Sequence, residues 1–400
     1  MHSPVSPSSS SSFPSSSGKG SPFAAGATGS TARAVADNPR PPGSRYPLLP
    51  NVRSRVVPTD RLAQHVYESG PLDAEPLVLL HGNVSSGRFF EDLLAYIPDD
   101  YYAVAPDLRG YGATEHKVVD ATRGVRDYSD DLHALVAALG IERFHLLGWS
   151  LGGNAAMQYT IEHPERVRSL TLLATGSPYG YGCTRGSDGV PIWDDFAGSG
   201  GGLINPQIQV RYEARDDSAF SMFSPRSLMR MLYVKPTFHF APRREDVLVE
   251  QLLLMHVGDT SYPGDSTRSP NWPYSGPGRY GPNNALSPKY INQSGLAGLG
   301  DGGPPIMWVR GTDDSIVSDA AQLDPATLGR MGYFPGWPGL KVYPPQPMLA
   351  QIRAVLDRYR SNGGTYHEEI LATCGHSPHI EQPAAFFRLL TRFLHAHRGR

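Results

Sequence analysis

Five short apolar runs constrain the fold of this chain more than anything else in it: residues 77–80 (LVLL), 102–105 (YAVA), 144–147 (FHLL), 170–174 (LTLLA) and 306–309 (IMWV). Each is too short for a helix, is bounded by turn-forming residues, and lacks the polar/apolar alternation of a strand with one face in water, so each reads as a strand buried on both faces. Apolar residues at helical spacing lie between or after them at 129–139, 153–163, 348–360 and 383–397. Such alternation predicts an α/β fold with a mostly parallel central sheet covered by helices on both faces. Loops at the carboxyl ends of the strands are where that architecture places its chemistry.

The third run leads into Gly148-Trp149-Ser150-Leu151-Gly152 and then a helical pattern. A strand-to-helix turn of this kind is strained, and glycine on both sides lets the serine side chain stand clear of the backbone. On its own the pentapeptide is equally consistent with an incidental serine in a turn. A serine hydroxyl becomes a good nucleophile only beside a base that is itself held by a third group, and both are offered downstream. Asp313 and Asp314 follow the run 306–309 in "RGTDDSIV", and His376 follows Ile370 and Leu371 in "ATCGHSPHIEQP". The order serine, aspartate, histidine belongs to one triad-bearing fold among several. Two backbone N–H groups are needed for a developing oxyanion: Leu151, after the serine at a helix N-terminus, supplies one, and Asn83, in the loop after 77–80, supplies the other.

With these pieces in order, the chain resembles the α/β-hydrolase fold serine hydrolases, through "LLHGN", "VAPDLRGYGATE", "GWSLGG", "RGTDDSIV" and "GHSPHIEQP". The resemblance covers most of residues 52–175 and 304–397. It implies Ser150 as nucleophile, His376 as general base and acid, and Asp314 as the orienting carboxylate. Asp314 is preferred to Asp313 because members of the family usually place the acid three residues after the glycine. His81, Asp107 and Arg109 are expected to order loops beside the site, and His379 to be a packing residue. Related dehalogenases share "HGN" but use an aspartate nucleophile, so Ser150 argues against dehalogenation and epoxide opening.

Residues 1–45 are rich in Ser, Pro, Gly and Ala and read as a disordered tail. The tail lacks the apolar core of a secretory signal, so a cytoplasmic location is expected, although its Ser-rich, acid-poor composition is also compatible with an organellar transit peptide. Core segments are expected at 46–176 and 305–400, separated by a cap at 177–304 with helices at 224–233 and 244–255. The cap's many aromatic residues suggest a largely apolar pocket, and equally suit plain packing of the cap. Trp149, beside the serine, and Trp337, in the aromatic segment after Asp314, are expected to touch substrate.

A formal net charge of −2 with no long Lys/Arg block argues against nucleic acid as a partner. Two cysteines, Cys183 and Cys374, exclude a disulfide scaffold and have no zinc-ligand spacing. No stretch approaches the roughly 20 apolar residues of a membrane span, so a soluble protein is expected. The reaction expected is hydrolysis of an ester, lactone or thioester of a bulky apolar small molecule, without metal or cofactor. Its rivals are carbon–carbon bond hydrolysis of a vinylogous diketone by the same triad, and a receptor-like protein with little turnover.

Overall fold

The computed structural model describes residues 40–399. Eight strands form one sheet: β1 (Arg53–Pro58), β2 (Ala63–Ser69), β3 (Glu75–Leu80), β4 (Tyr101–Pro106), β5 (Phe144–Trp149), β6 (Val167–Leu173), β7 (Ile306–Gly311) and β8 (Tyr366–Leu371), in the order β1-β2-β4-β3-β5-β6-β7-β8. β2 runs antiparallel to both β1 and β4, and the six strands from β4 to β8 are parallel. All five apolar runs fall on strands, with Ala174 alone one residue past the end of β6, and β4 and β5 are buried at every position. β8 is different: as an edge strand with the sequence YHEEIL it is buried only at Tyr366, and only its last two residues give an apolar signal.

The longer helices are α1 (Arg126–Ala138), α2 (Leu151–Glu162), α3 (Pro242–Leu252), α4 (Met348–Ser361) and α5 (Pro383–Ala396). All five are expected from the sequence within a few residues of these bounds. α2 packs on β5 and β6, and the apolar sides of α1, α2, α4 and α5 join the strands in one core. Among the described residues no helix is long and apolar enough to cross a membrane.

Residues 174–305 lie between β6 and β7 and hold α3, the helix Pro206–Glu213, and short two-stranded ribbons. The helix expected over 224–233 is instead a single α-turn, Pro225–Leu228, running into a π-helical turn, Met229–Tyr233. The helix expected over 244–255 begins earlier, since Pro242 has no N–H to lose at a first helical position, and it ends at Leu252. α3 is tied to the core: Arg244 reaches Glu91 (2.6 Å) and Asp92 (2.8 Å). Glu250 on the same helix accepts from the Arg45 backbone N–H (2.8 Å) and from Arg45 Nε (3.1 Å). Residues 40–45, which composition groups with the tail, are therefore part of the packed structure, and residues 1–39 lie outside the described residues.

Candidate active site

β5 ends at Trp149 and α2 begins at Leu151, so the whole reversal falls on Ser150, with φ +56° and ψ −122°. A positive φ costs a non-glycine residue on the order of 1–3 kcal/mol and persists only where the surroundings over-determine it. They do so here. The Ser150 N–H donates to the Leu173 carbonyl (2.9 Å), and the flanking backbone is too tight for side chains. A Cβ on Gly148 would stand 2.2 Å from the Gly152 oxygen, and one on Gly152 would stand 2.2 Å from the Leu80 oxygen. Close approach therefore accounts for both glycines of the pentapeptide. The Leu151 N–H, at the first position of α2, has no intrahelical partner and is free to serve as a donor.

The loop after β3 lies against this serine, since a Cβ on Gly82 would be 3.1 Å from Ser150 Cβ. Asn83 follows, and its side chain is held on both sides: Tyr111 Oη–H donates to Oδ1 (2.6 Å), and Nδ2 donates to Asn283 Oδ1 (2.8 Å). His81 is fully buried. Its Nε2 accepts the Leu108 N–H (2.9 Å), which leaves the proton on Nδ1 facing the Gly82 oxygen (2.8 Å), and burial lowers its pKa to about 4. It is a neutral strut between two loops. Asp107 accepts N–H groups of Gly87 (2.8 Å) and Ala113 (2.9 Å), and Arg109 grips Asp131 at 2.8 and 2.7 Å. All three order loops, as expected.

After β7, Asp314 points one carboxylate oxygen at His376 Nδ1 (2.9 Å), with both side chains buried. Its other oxygen accepts the Ile316 and Val317 N–H groups, each at 2.9 Å. A carboxylate so held fixes the Nδ1–H tautomer and leaves Nε2 as the basic nitrogen. Asp313 is exposed and ties the two loops through its backbone, its N–H donating to the Cys374 carbonyl (2.8 Å). The carboxylate facing the histidine is thus Asp314.

One expected substrate contact is corrected. Trp149 is completely buried, and its indole N–H donates to the His376 carbonyl (2.8 Å), so it supports the histidine loop from beneath and has no face left for a ligand. Trp337 packs with Trp272, Tyr343 and Cys183 in a second aromatic cluster, and its N–H is spent on the Tyr343 carbonyl (3.0 Å). That cluster is separate from the core that holds Trp149 and Leu151. His379 sits between the rings of Phe90 (5.1 Å) and Trp149 (4.9 Å), where burial lowers its pKa to about 3; it is a packing residue. Cys374 and Cys183 are buried thiols pushed up by burial.

Sequence reasoning missed Glu381 and Tyr233. Glu381 accepts the Gly375 N–H (2.8 Å) and the Lys235 N–H (2.9 Å), joining the histidine loop to the insertion. It stands inside the motif "GHSPHIEQP", so its position was visible although its partner was not. Tyr233 Oη–H is shared between the Asn83 (2.9 Å) and Val84 (2.8 Å) carbonyls, a contact across 150 positions of sequence that no local pattern announces. Among the described residues no group of three His, Cys, Asp or Glu side chains is placed to hold a metal ion.

Residues 75–198 match the family model described as alpha/beta hydrolase fold. A serine hydrolase-like protein of Danio rerio is 29% identical over 195 residues, 49% of this chain and 56% of that protein. An uncharacterised carboxylesterase of Bacillus subtilis is 36% identical over 116 residues, 29% of this chain and 38% of that one. The chain thus spans about half or less of these curated relatives. Among solved structures, a serine hydrolase of the polyaromatic hydrocarbon-degrading bacterium Cycloclasticus zankles superposes with a TM-score of 0.53 at 15% identity, covering 87% of this chain and 100% of that one. At that identity the likeness is one of fold. The strand order, the serine turn between β5 and α2, and these matches give the chain the α/β-hydrolase fold.

Proposed function

We propose that this protein is a cofactor-independent serine hydrolase that cleaves a carboxylic ester, lactone or thioester of a bulky, largely apolar substrate through an acyl-enzyme on Ser150. The observation that carries the reading is a serine held at φ +56° on the turn between β5 and α2, in a chain whose buried Asp314 and His376 meet at 2.9 Å. His376 Nε2 takes the Ser150 proton as Oγ attacks the carbonyl carbon, and the oxyanion is received by the N–H groups of Leu151 and Asn83. His376 then gives that proton to the departing alcohol or thiol. Water repeats the sequence on the acyl-enzyme and releases the acid. Asp314 stabilises the imidazolium that forms in each half-reaction. The insertion 174–305 serves as the cap, and its apolar surfaces select the substrate.

Carbon–carbon bond hydrolysis ranks second, because its family members usually carry a glycine-rich oxyanion loop and this one reads Asn83-Val84-Ser85-Ser86. Labelling with a fluorophosphonate followed by peptide mapping tests the proposal, with Ser150→Ala as control. Adduct on Ser150, together with hydrolysis of simple aryl esters that the variant lacks, is expected. Folded protein that takes no label and cleaves no ester would put the receptor-like reading in its place.

A further inference from the structure

We infer that residues 232–235 of the insertion brace the three loops of the site together, with Tyr233 as a positioning residue that sets the oxyanion loop. The inference rests on the serine-hydrolase reading above. Within four residues the insertion reaches each loop in turn. Leu232 offers its carbonyl to Ser315 Oγ (3.2 Å), next to Asp314. The Tyr233 hydroxyl holds the Asn83 and Val84 carbonyls. The Lys235 N–H is bound by Glu381, whose other oxygen binds the Gly375 N–H beside His376. The fit is close enough that a Cβ on Gly375 would stand 2.7 Å from the Lys235 nitrogen.

The oxyanion loop needs such a brace. Val84 has φ +48°, a conformation that is an outlier for a β-branched residue and must be imposed from outside. Tyr233 supplies the constraint on the carbonyl on each side of that strained residue, and burial keeps its phenol protonated and a donor. Asn283, also from the insertion, fixes the Asn83 side chain from the other direction. The segment carrying Asn283 is itself anchored, because the Gly281 N–H, two residues before it, donates to the Val119 carbonyl (3.0 Å) of the core. The Asn83 N–H, one of the two proposed oxyanion donors, therefore takes its direction from the cap as much as from the sheet. Interactions that aim a donor at developing charge act on the transition state more than on bound substrate.

The test is steady-state hydrolysis of a p-nitrophenyl ester by Tyr233→Phe, which keeps the ring against Trp149 (5.7 Å) and Phe89 (6.2 Å) and removes only the hydroxyl. Losing this donor should lower kcat about tenfold and leave KM within about twofold. Affinity for phenylboronic acid, which forms a tetrahedral adduct on serine, should fall by the same factor. Asn283→Ala, at a half-buried position, should lower kcat about threefold with the same pattern. A loss confined to KM, or wild-type kcat and boronate affinity in both variants, overturns the brace alone. Wild-type protein that neither labels at Ser150 nor cleaves esters overturns the hydrolase reading and the brace with it.

Discussion

In the sheet, Leu77, Val78, Leu79 and Leu80 of β3 are fully buried among other apolar side chains, and any of their neighbours could be replaced by another hydrophobe of similar size without removing the reason for burial. In the insertion, order hangs on single polar groups. Asn284 is completely buried: its Nδ2 donates to the carbonyls of Asp265 (2.8 Å) and Tyr280 (2.6 Å), and its Oδ1 accepts the N–H groups of Gly201 (2.9 Å) and Gly278 (3.1 Å). One amide thus replaces the backbone pairing that a ladder would provide. The sheet is ordered by a pattern and the insertion by particular residues, so the two should break differently.

The largest effect should come from the sheet's own loops. Asp314→Asn keeps the shape of the pair but inverts its hydrogen-bonding sense at His376 Nδ1, and should cut kcat by about 10² to 10⁴ with little change in thermal unfolding. Asp313→Asn, exposed and acting through its backbone, should stay within about twofold of wild type. Ester kinetics on both proteins check this, and a greater loss in Asp313→Asn would move the orienting role.

The same contrast decides what could be read from the sequence. Strands β3 to β7 were visible because full burial writes an unbroken apolar run, and the serine turn was visible because backbone crowding at Gly148 and Gly152 leaves room for no other residue. β8 was nearly invisible because an edge strand carries little apolar demand. In the insertion, helix spacing predicts one helix over 224–233, but the chain there makes a single α-turn and then widens into a π-helical turn that delivers Tyr233 to the loop after β3. Long-range contacts overrode local propensity at that point, as they often do where a turn of this kind sits at a functional site. Trp149 departs from its expected role for a related reason: an aromatic residue beside a site in sequence can serve as packing, and its complete burial with the indole N–H on the His376 carbonyl shows that it does.

Stability measurements sharpen the comparison next. Asn284→Ala strands the four backbone groups named above and should destabilise the insertion by about 3 kcal/mol or more. Hydrogen exchange should then show lost protection near Gly201 and Gly278, with the amides of β3 and β5 still protected. Leu79→Ala should cost a similar 2–5 kcal/mol but lower protection throughout. Uniform loss in Asn284→Ala would mean that sheet and insertion unfold as one unit.

The smallest effect, over the single pH unit between 6 and 5, is a pH dependence that belongs to the sheet side. His379, packed between Phe90 and Trp149, has its pKa lowered by burial to about 3, whereas an unfolded histidine titrates near 6.5. Between those values the unfolded chain binds a proton that the folded chain refuses. Stability is therefore fully present above about pH 6.5 and falls as the pH drops toward 3, by about 1.4 kcal/mol per unit once well below 6.5. His256 of the insertion, its ring tilted against that of His116 at 4.0 Å, is also lowered by burial, but it is exposed enough for water to absorb most of that effect. His379→Phe keeps a ring in the slot and removes the titration, so denaturant unfolding of this variant between pH 6 and 5 should show a slope shallower by about one proton. An unchanged slope in His379→Phe, with a shallower one in His256→Phe, would reverse the assignment and place the acid-sensitive contact in the insertion.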